Sequence, residues 1–367
     1  MLSGFEWYLR ANEPEVFGPA PAMRYMVEPT GDGPRAVRLV AGWSGHQVVS
    51  GREVTIRINA ERRRGPEVGA READEKRLLI VGDSLVFGFG VEHDETFGVH
   101  LESALEAELA IPVTVGNAGI PGLSTEDLPE SLRQHADFGA DAIVAAIYLG
   151  NDFSEDCEVY RAVVNGYVLQ GAFARHAHRS WRTRLSLQWR VAFAVERFMR
   201  QYAPSLSLNP ALLAATPEEA ERLRGFPPLE QMREGVFMDV VDDPGYVATA
   251  LDRTAGHLRE LRRLAASRPL LIVLFPSRRH TRADLFVETL EQLGLAPAHY
   301  RRGTVQRRLS ELGAALDVDM LDLTPELAAG DVATQDARWI PNDWHFSPAG
   351  HAQVAGWLLP WCLPALR

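Results

Sequence analysis

The sequence predicts an α/β fold: a doubly wound parallel sheet with a small β-rich N-terminal module and a helical insertion. Three observations predict it. From Arg77 onward, short apolar runs alternate with longer segments of helical period, which is the βαβ pattern. Residues 1 to about 75 read differently, with period-two alternation at 52–61. The 367-residue length is enough to bury one large core and carry an appendage.

Taken in order, the N-terminal module rests on REVTIRINAE at 52–61, where Val54, Ile56 and Ile58 alternate with Thr55, Arg57 and Asn59 as in a half-buried strand. MRYMVEP and RAVRLVAG are its expected partners, and ERRRGPEVGAREADEKR reads as a charged connector. From residue 76 to 367 the expected strands are Leu78 to Val81, Val113 to Val115, Ala142 to Leu149, Leu270 to Phe275 and Asp319 to Leu323. Helices are expected at Thr96 to Leu109, Glu126 to His135, Ala248 to Ala266, Thr304 to Leu312 and Pro348 to Leu359. Five strands with crossover helices suggest a flavodoxin-like sheet, in which ligands sit beyond the carboxyl ends of the strands near the switch in strand order. Between the third and fourth strands the chain is far longer than a crossover requires, so an insertion is expected at about 155–245. Its stretch Ser180 to Ala203 sets Trp181, Leu185, Trp189, Phe193 and Phe198 among arginines at roughly helical spacing. That pattern fits a helix packed on the core, or a cap over the site or docking surface.

Composition narrows the function. A net charge of -11 argues against a nucleic-acid partner. Cys157 and Cys362 form no CxxC pair, which leaves no zinc motif and at most one long-range disulfide. No run reaches the roughly 18 apolar residues of a membrane span. The opening FEWYLR reads as a short docked helix or as the stub of an anchor, the one route by which membrane association would be expected.

The chemistry begins at RLLIVGDSLVFGFGV, residues 77–91, where a buried run stops at Gly-Asp-Ser. A serine hydroxyl needs a base, and the base works best when a carboxylate fixes its tautomer. PNDWHFSPAGH at 341–351 offers Asp343 and His345 just before a helix that Ser347 can cap with Pro348 at its first position. Donors for an oxyanion are available in GNAGIPG, Gly116 to Gly122, and in LGND, Leu149 to Asp152.

Together GDSL at 82–85, NAGIPG at 117–122, GND at 150–152 and the final Asp-Trp-His resemble the four blocks of the SGNH hydrolases, or GDSL lipases and esterases, in family order. NAERRRGPE at 59–67 also looks like the lead-in of some bacterial members. The resemblance implies Ser84 as nucleophile, His345 as general base and Asp343 as its orienting carboxylate. It also implies an oxyanion hole made of the Ser84 and Gly122 backbone N–H groups and the Asn151 amide. The commoner family spacing puts the aspartate three residues before the histidine, where Asn342 stands here. The closer Asp-x-His resembles a branch that includes polysaccharide O-acetyl-handling proteins.

Other residues carry blander readings. Asp83 is expected to stabilise the turn, His351 to be structural rather than part of a metal cluster with Asp343 and His345, and His93 and His100 to be surface or packing residues. Gly88 and Gly90 fit neither phosphate-loop spacing, and there is no GxSxG elbow at Ser84. The expected function is a serine esterase that uses no metal or cofactor and acts on a small-molecule or glycan O-ester, either a carbohydrate O-acetyl or a lipid-like acyl ester. Acyl transfer to a polysaccharide and non-catalytic binding on the same fold are the alternatives.

Overall fold

In the computed structural model the described residues are 7–8, 26–30, 36–157, 161–164, 167–170, 189, 217–228 and 231–367. The core is a five-stranded sheet of β5 (Lys76–Gly82), β6 (Val113–Gly119), β7 (Ala142–Tyr148), β10 (Leu270–Phe275) and β11 (Asp319–Asp322). Its order is β11-β10-β7-β5-β6 and every pairing is parallel. Counted by core strands alone this is the flavodoxin-like order, whose switch point falls between the first and third strands, here β5 and β7.

The central strands β7 and β10 are buried along their whole length because helices cover both sheet faces. One face packs on α5 (Tyr246–Ala265), α3 (Leu128–Gln134) and α6 (Thr304–Ala315) through Ile143, Ile147, Leu258, Leu261 and Leu309. The other packs on α2 (Phe97–Leu109) and α7 (Pro348–Leu366) through Val144, Leu101, Leu105, Val354 and Leu358. Among the described residues no helix is long and apolar enough to cross a membrane.

Strand β6 runs four residues beyond the expected Val115, in register from Gly116 opposite Leu79 to Gly119 opposite Gly82. GNAG reads locally as a loop, but these glycines serve close packing. A Cβ on Gly116 would lie 2.9 Å from the Phe138 ring, and one on Gly119 only 2.2 Å from the Phe87 nitrogen. At the C-terminus α7 continues through Pro360 and Pro364, past the expected stop at Leu359. Both prolines lie on the exposed side, while Cys362 and Leu366 hold the last turns in the core.

The N-terminal module contains β1 (Val27–Pro29) paired with β2 (Val37–Leu39), and β3 (Ser44–Val49) paired with β4 (Arg52–Arg57). The expected partners of β4 therefore pair with each other, and its actual partner is the unanticipated SGHQVV. The β3–β4 loop is Ser50-Gly51, both at positive φ (48° and 80°), a two-residue turn whose twist matches the flanking strands. ERRRGPEVGAREADEKR is also more than a solvated connector, since Arg63, Arg64, Glu75 and Arg77 are buried. The Arg77–Glu75 ion pair is 2.7 Å long within that burial. Cys157 and Cys362 are free thiols, each buried in a different apolar cluster, so the long-range disulfide does not form. Within the insertion the described residues include the antiparallel pair β8 (Arg161–Val164) and β9 (Tyr167–Gln170) and a helix at Pro217–Arg222. The Ser180 to Ala203 stretch, apart from Trp189, lies outside the described residues.

Candidate active site

Strand β5 delivers the chain to the switch point, where Asp83 ends it by capping a one-turn helix, α1 (Ser84–Phe87). The Asp83 carboxylate accepts the Leu85 N–H at 2.9 Å, which is the turn-stabilising role expected of it. Gly88, in the left-handed region at φ 82°, terminates the helix and donates its N–H to the Ser84 carbonyl. Ser84 is thus the first residue of a helix held from below by the end of β6.

The second element is the loop between β11 and α7. The Ile340 N–H donates to the His345 carbonyl at 2.9 Å and the Asp343 N–H to the Ile340 carbonyl at 3.1 Å, so residues 340–345 close on themselves. Ser347 then caps α7 through the Gly350 N–H, as the Ser-Pro signal implied.

Within this loop Asp343 Oδ1 accepts the His345 main-chain N–H at 2.9 Å and faces His345 Nδ1 at 2.6 Å. The two-residue spacing lets one oxygen bind backbone and ring together. Burial of Asp343 would raise its pKa, but the hydrogen bond and the charge of His345 outweigh that effect and hold the carboxyl below its ordinary value. An ionised carboxylate can only accept, so Nδ1 carries a proton, and in the neutral form of the ring that tautomer leaves the lone pair on Nε2. Ser84 Oγ lies 2.8 Å from Nε2, and with the lone pair there the hydroxyl is placed to donate to it. Ser84, His345 and Asp343, dispersed in the sequence, therefore form one continuous hydrogen-bonded chain.

The expected oxyanion donors lie on the same sheet edge. Gly122 follows β6 in a left-handed turn at φ 80°. Asn151 follows β7 and donates its amide to Glu155 Oε1 at 2.7 Å. The next residue, Asp152, is buried and accepts the Tyr148 N–H at 2.9 Å. Burial, then the nearby Asp83, Glu155 and Asp156 charges, raise the Asp152 pKa well above the ordinary carboxylate range. Asp83 is pushed up to about 6, chiefly by burial. Asp83 and Asp152 are therefore a pair of buried carboxyl groups, the charge of the first raising the pKa of the second.

Several residues here were not anticipated. Phe89 stacks on the His345 ring at 4.4 Å between centroids. Trp344, between Asp343 and His345, is 53% exposed. With Tyr148, Gly150, Asn151, Ser154 and Glu234 it lines a cavity of about 360 Å³. Glu155 sits one helical turn after Asn151, an i,i+4 relation visible in the sequence. Glu234 comes from the insertion, and nothing local marks it. His351 lies outside this group: its ring is buried against Phe97 and Phe346, and Nδ1 accepts the Phe97 N–H at 3.2 Å. Burial holds its pKa down at about 3, so the ring is neutral. His93 packs its ring under Gly65, where an added Cβ would meet it at 2.5 Å.

Comparison with known proteins bears on the family. No curated protein matches the chain. Among solved structures it is similar to a lipase/acylhydrolase from Enterococcus faecalis at 12% identity, covering 80% of this chain and 97% of that one with a TM-score of 0.40. TesA, at 13% identity, is covered over 100% of its length and 79% of this chain, with a TM-score of 0.41. A two-domain esterase active on acetylated mannans, co-crystallized with mannopentaose, shows 11% identity over 79% of this chain and 50% of its own, with a TM-score of 0.40. The family model of the GDSL-like lipases and acylhydrolases matches residues 80–353, a span that begins within β5 and ends in α7. The chain belongs to the GDSL-like lipase/acylhydrolase family and is a serine hydrolase on the α/β fold.

Proposed function

We propose that this chain hydrolyses an O-ester with Ser84 as nucleophile, His345 as general base and acid, and Asp343 as the carboxylate that fixes the ring. The unbroken contact from Ser84 Oγ to His345 Nε2 (2.8 Å) and from Nδ1 to Asp343 (2.6 Å) carries this reading. Ser84 Oγ attacks the ester carbonyl as its proton passes to Nε2. The tetrahedral oxyanion is met by the Ser84 and Gly122 backbone N–H groups and the Asn151 amide. Nε2 then protonates the departing alcohol. Water, deprotonated by the same nitrogen, releases the acid and restores Ser84.

The substrate we favour is an O-acylated carbohydrate over a long-chain lipid. The cavity beside Asn151 is small, its walls include the polar groups of Ser154 and Glu234, and Trp344 offers an exposed ring. An aromatic face with adjacent carboxylate and amide groups suits a sugar ring, which presents C–H groups on one side and hydroxyls at its edge. Acylated oligosaccharides and p-nitrophenyl esters of increasing chain length, tested on wild type and Ser84→Ala, examine both halves of the proposal. Ser84→Ala is expected to lose roughly 10³- to 10⁶-fold in kcat, and unchanged turnover would overturn the assignment. Turnover that rises with acyl length beyond butyrate would overturn the carbohydrate preference. Product analysis with a glycan acceptor present separates hydrolysis from transfer to a sugar hydroxyl.

A further inference from the structure

The turn after the nucleophile helix, Gly88 to Val91, holds two left-handed glycines, each at φ 82°. Such a turn is costly to order on its own. Several of its polar groups are nevertheless committed to residues from before β5. The Arg64 guanidinium donates to the carbonyl of Phe87 at 2.7 Å and to those of Gly88 and Val91, with its plane over the Phe87 ring. Arg64 is only 2% exposed. Gln47, on β3 and buried, accepts the Gly90 N–H at 3.2 Å.

The same hairpin reaches the histidine loop. Ser50, at its tip, donates its hydroxyl to the Pro341 carbonyl at 2.6 Å, two residues before Asp343. A Cβ on Gly90 would lie 2.6 Å from Ile340 Cδ1 and 3.4 Å from Val49 Cβ. Serine turn, histidine loop and hairpin therefore meet at one point, and the turn they clamp carries Phe89, the ring stacked on His345. All of the clamping residues precede residue 80, where the match to the family model begins.

We propose that the N-terminal module is part of the catalytic centre, with Gln47, Ser50 and Arg64 as positioning residues that set the Phe89–His345 stack and so the approach of His345 to Ser84. The proposal rests on the assignment of Ser84 and His345 made above. Holding two loops from a third element fixes their mutual distance, which neither loop can fix alone. An error of about 1 Å at the base can cost on the order of 10²-fold in rate.

The test uses the full chain with Ser50→Ala, Gln47→Ala and, as a conservative replacement, Ser50→Asn, which tolerates positive φ and keeps a donor. With p-nitrophenyl acetate, the two alanine variants are expected to lose about 10- to 100-fold in kcat while KM stays within about twofold, and Ser50→Asn to recover most of the loss. The His345 ring proton resonances, displaced by the Phe89 stack in wild type, are expected to shift in both alanine variants. Kinetic constants within about twofold of wild type, or a loss that follows the unfolded fraction in circular dichroism, would overturn the proposal. Ser50 is exposed, so Ser50→Ala remains informative if Gln47→Ala fails to fold. Absence of Ser84-dependent turnover would count against the hydrolase assignment. The ring resonances decide the clamp separately, since an unmoved His345 spectrum overturns it with or without turnover.

Discussion

A single carboxylate oxygen, Asp343 Oδ1, binds both the backbone and the ring of His345, so the geometry of the base depends on one atom. Asp343→Asn would present Nδ1 with an amide and allow the wrong tautomer. We expect a loss of about 10²- to 10⁴-fold in kcat, with KM little changed, in steady-state assays. The lowered Asp343 pKa has a stability counterpart. Its contribution is present above the unfolded carboxyl pKa and is lost as pH falls through the lower folded value. Asp83 has the opposite sign. Its folded pKa of about 6 lies above that of an unfolded aspartate, so its stabilising effect is complete at low pH and is lost as pH rises toward 6. Asp83→Asn keeps an oxygen for the Leu85 N–H and removes the buried charge. The variant should therefore melt higher than wild type at pH 7 to 8, and the gap should close near pH 4; thermal melts across that range check it. Ser84, His345 and Asp343 were all legible in the sequence because chemistry restricts them to a few residue types. Phe89 and Trp344 were not, since an aromatic residue in a turn carries no local sign of what it will touch.

At the scale of elements, α1 is only four residues long and owes its position to its neighbours. The closest is the end of β6, where Gly119 leaves 2.2 Å between a would-be Cβ and the Phe87 nitrogen. Gly119→Ala must push α1 and Ser84 away from the sheet. It should cost about 1–3 kcal/mol in denaturant melts, and kcat should fall by more than the folded fraction explains. The apolar strands could be read with little error because a strand buried on both faces has to be apolar throughout. The second half of β6 could not, since its small residues answer to Phe138 and Phe87, which lie far away in the chain. SGHQVV was likewise hidden, because it buries polar Gln47 and leaves apolar Val48 exposed, although the Ser50-Gly51 pair after it was a turn signal.

For the molecule as a whole, the switch in strand order between β5 and β7 gathers residues as distant as Ser84 and Asn151 at one edge, while the last loop brings His345 to meet them. Burial on both sheet faces also leaves the two cysteines isolated. Their thiols are pushed up to about 11 for Cys157 and about 12 for Cys362, chiefly by burial. Native protein should therefore give almost no reaction with a thiol reagent near neutral pH and two equivalents after denaturation, and reductant should leave the melting temperature unmoved. A disulfide would give none in either state.

By itself the sequence determined the sheet, its helices and the residue types of the site, because apolar period and nucleophile chemistry are written locally. Tertiary structure alone decided which strands of the N-terminal module pair, that residues 61–77 are partly core, and that Phe89, Trp344 and Glu234 face the site. It also decided that Gln47, Ser50 and Arg64 hold both loops around Ser84 and His345. The physical reason is contact distance in the chain. Ser50 and Pro341 are 291 positions apart, and a hydrogen bond between them leaves no periodic mark on either segment.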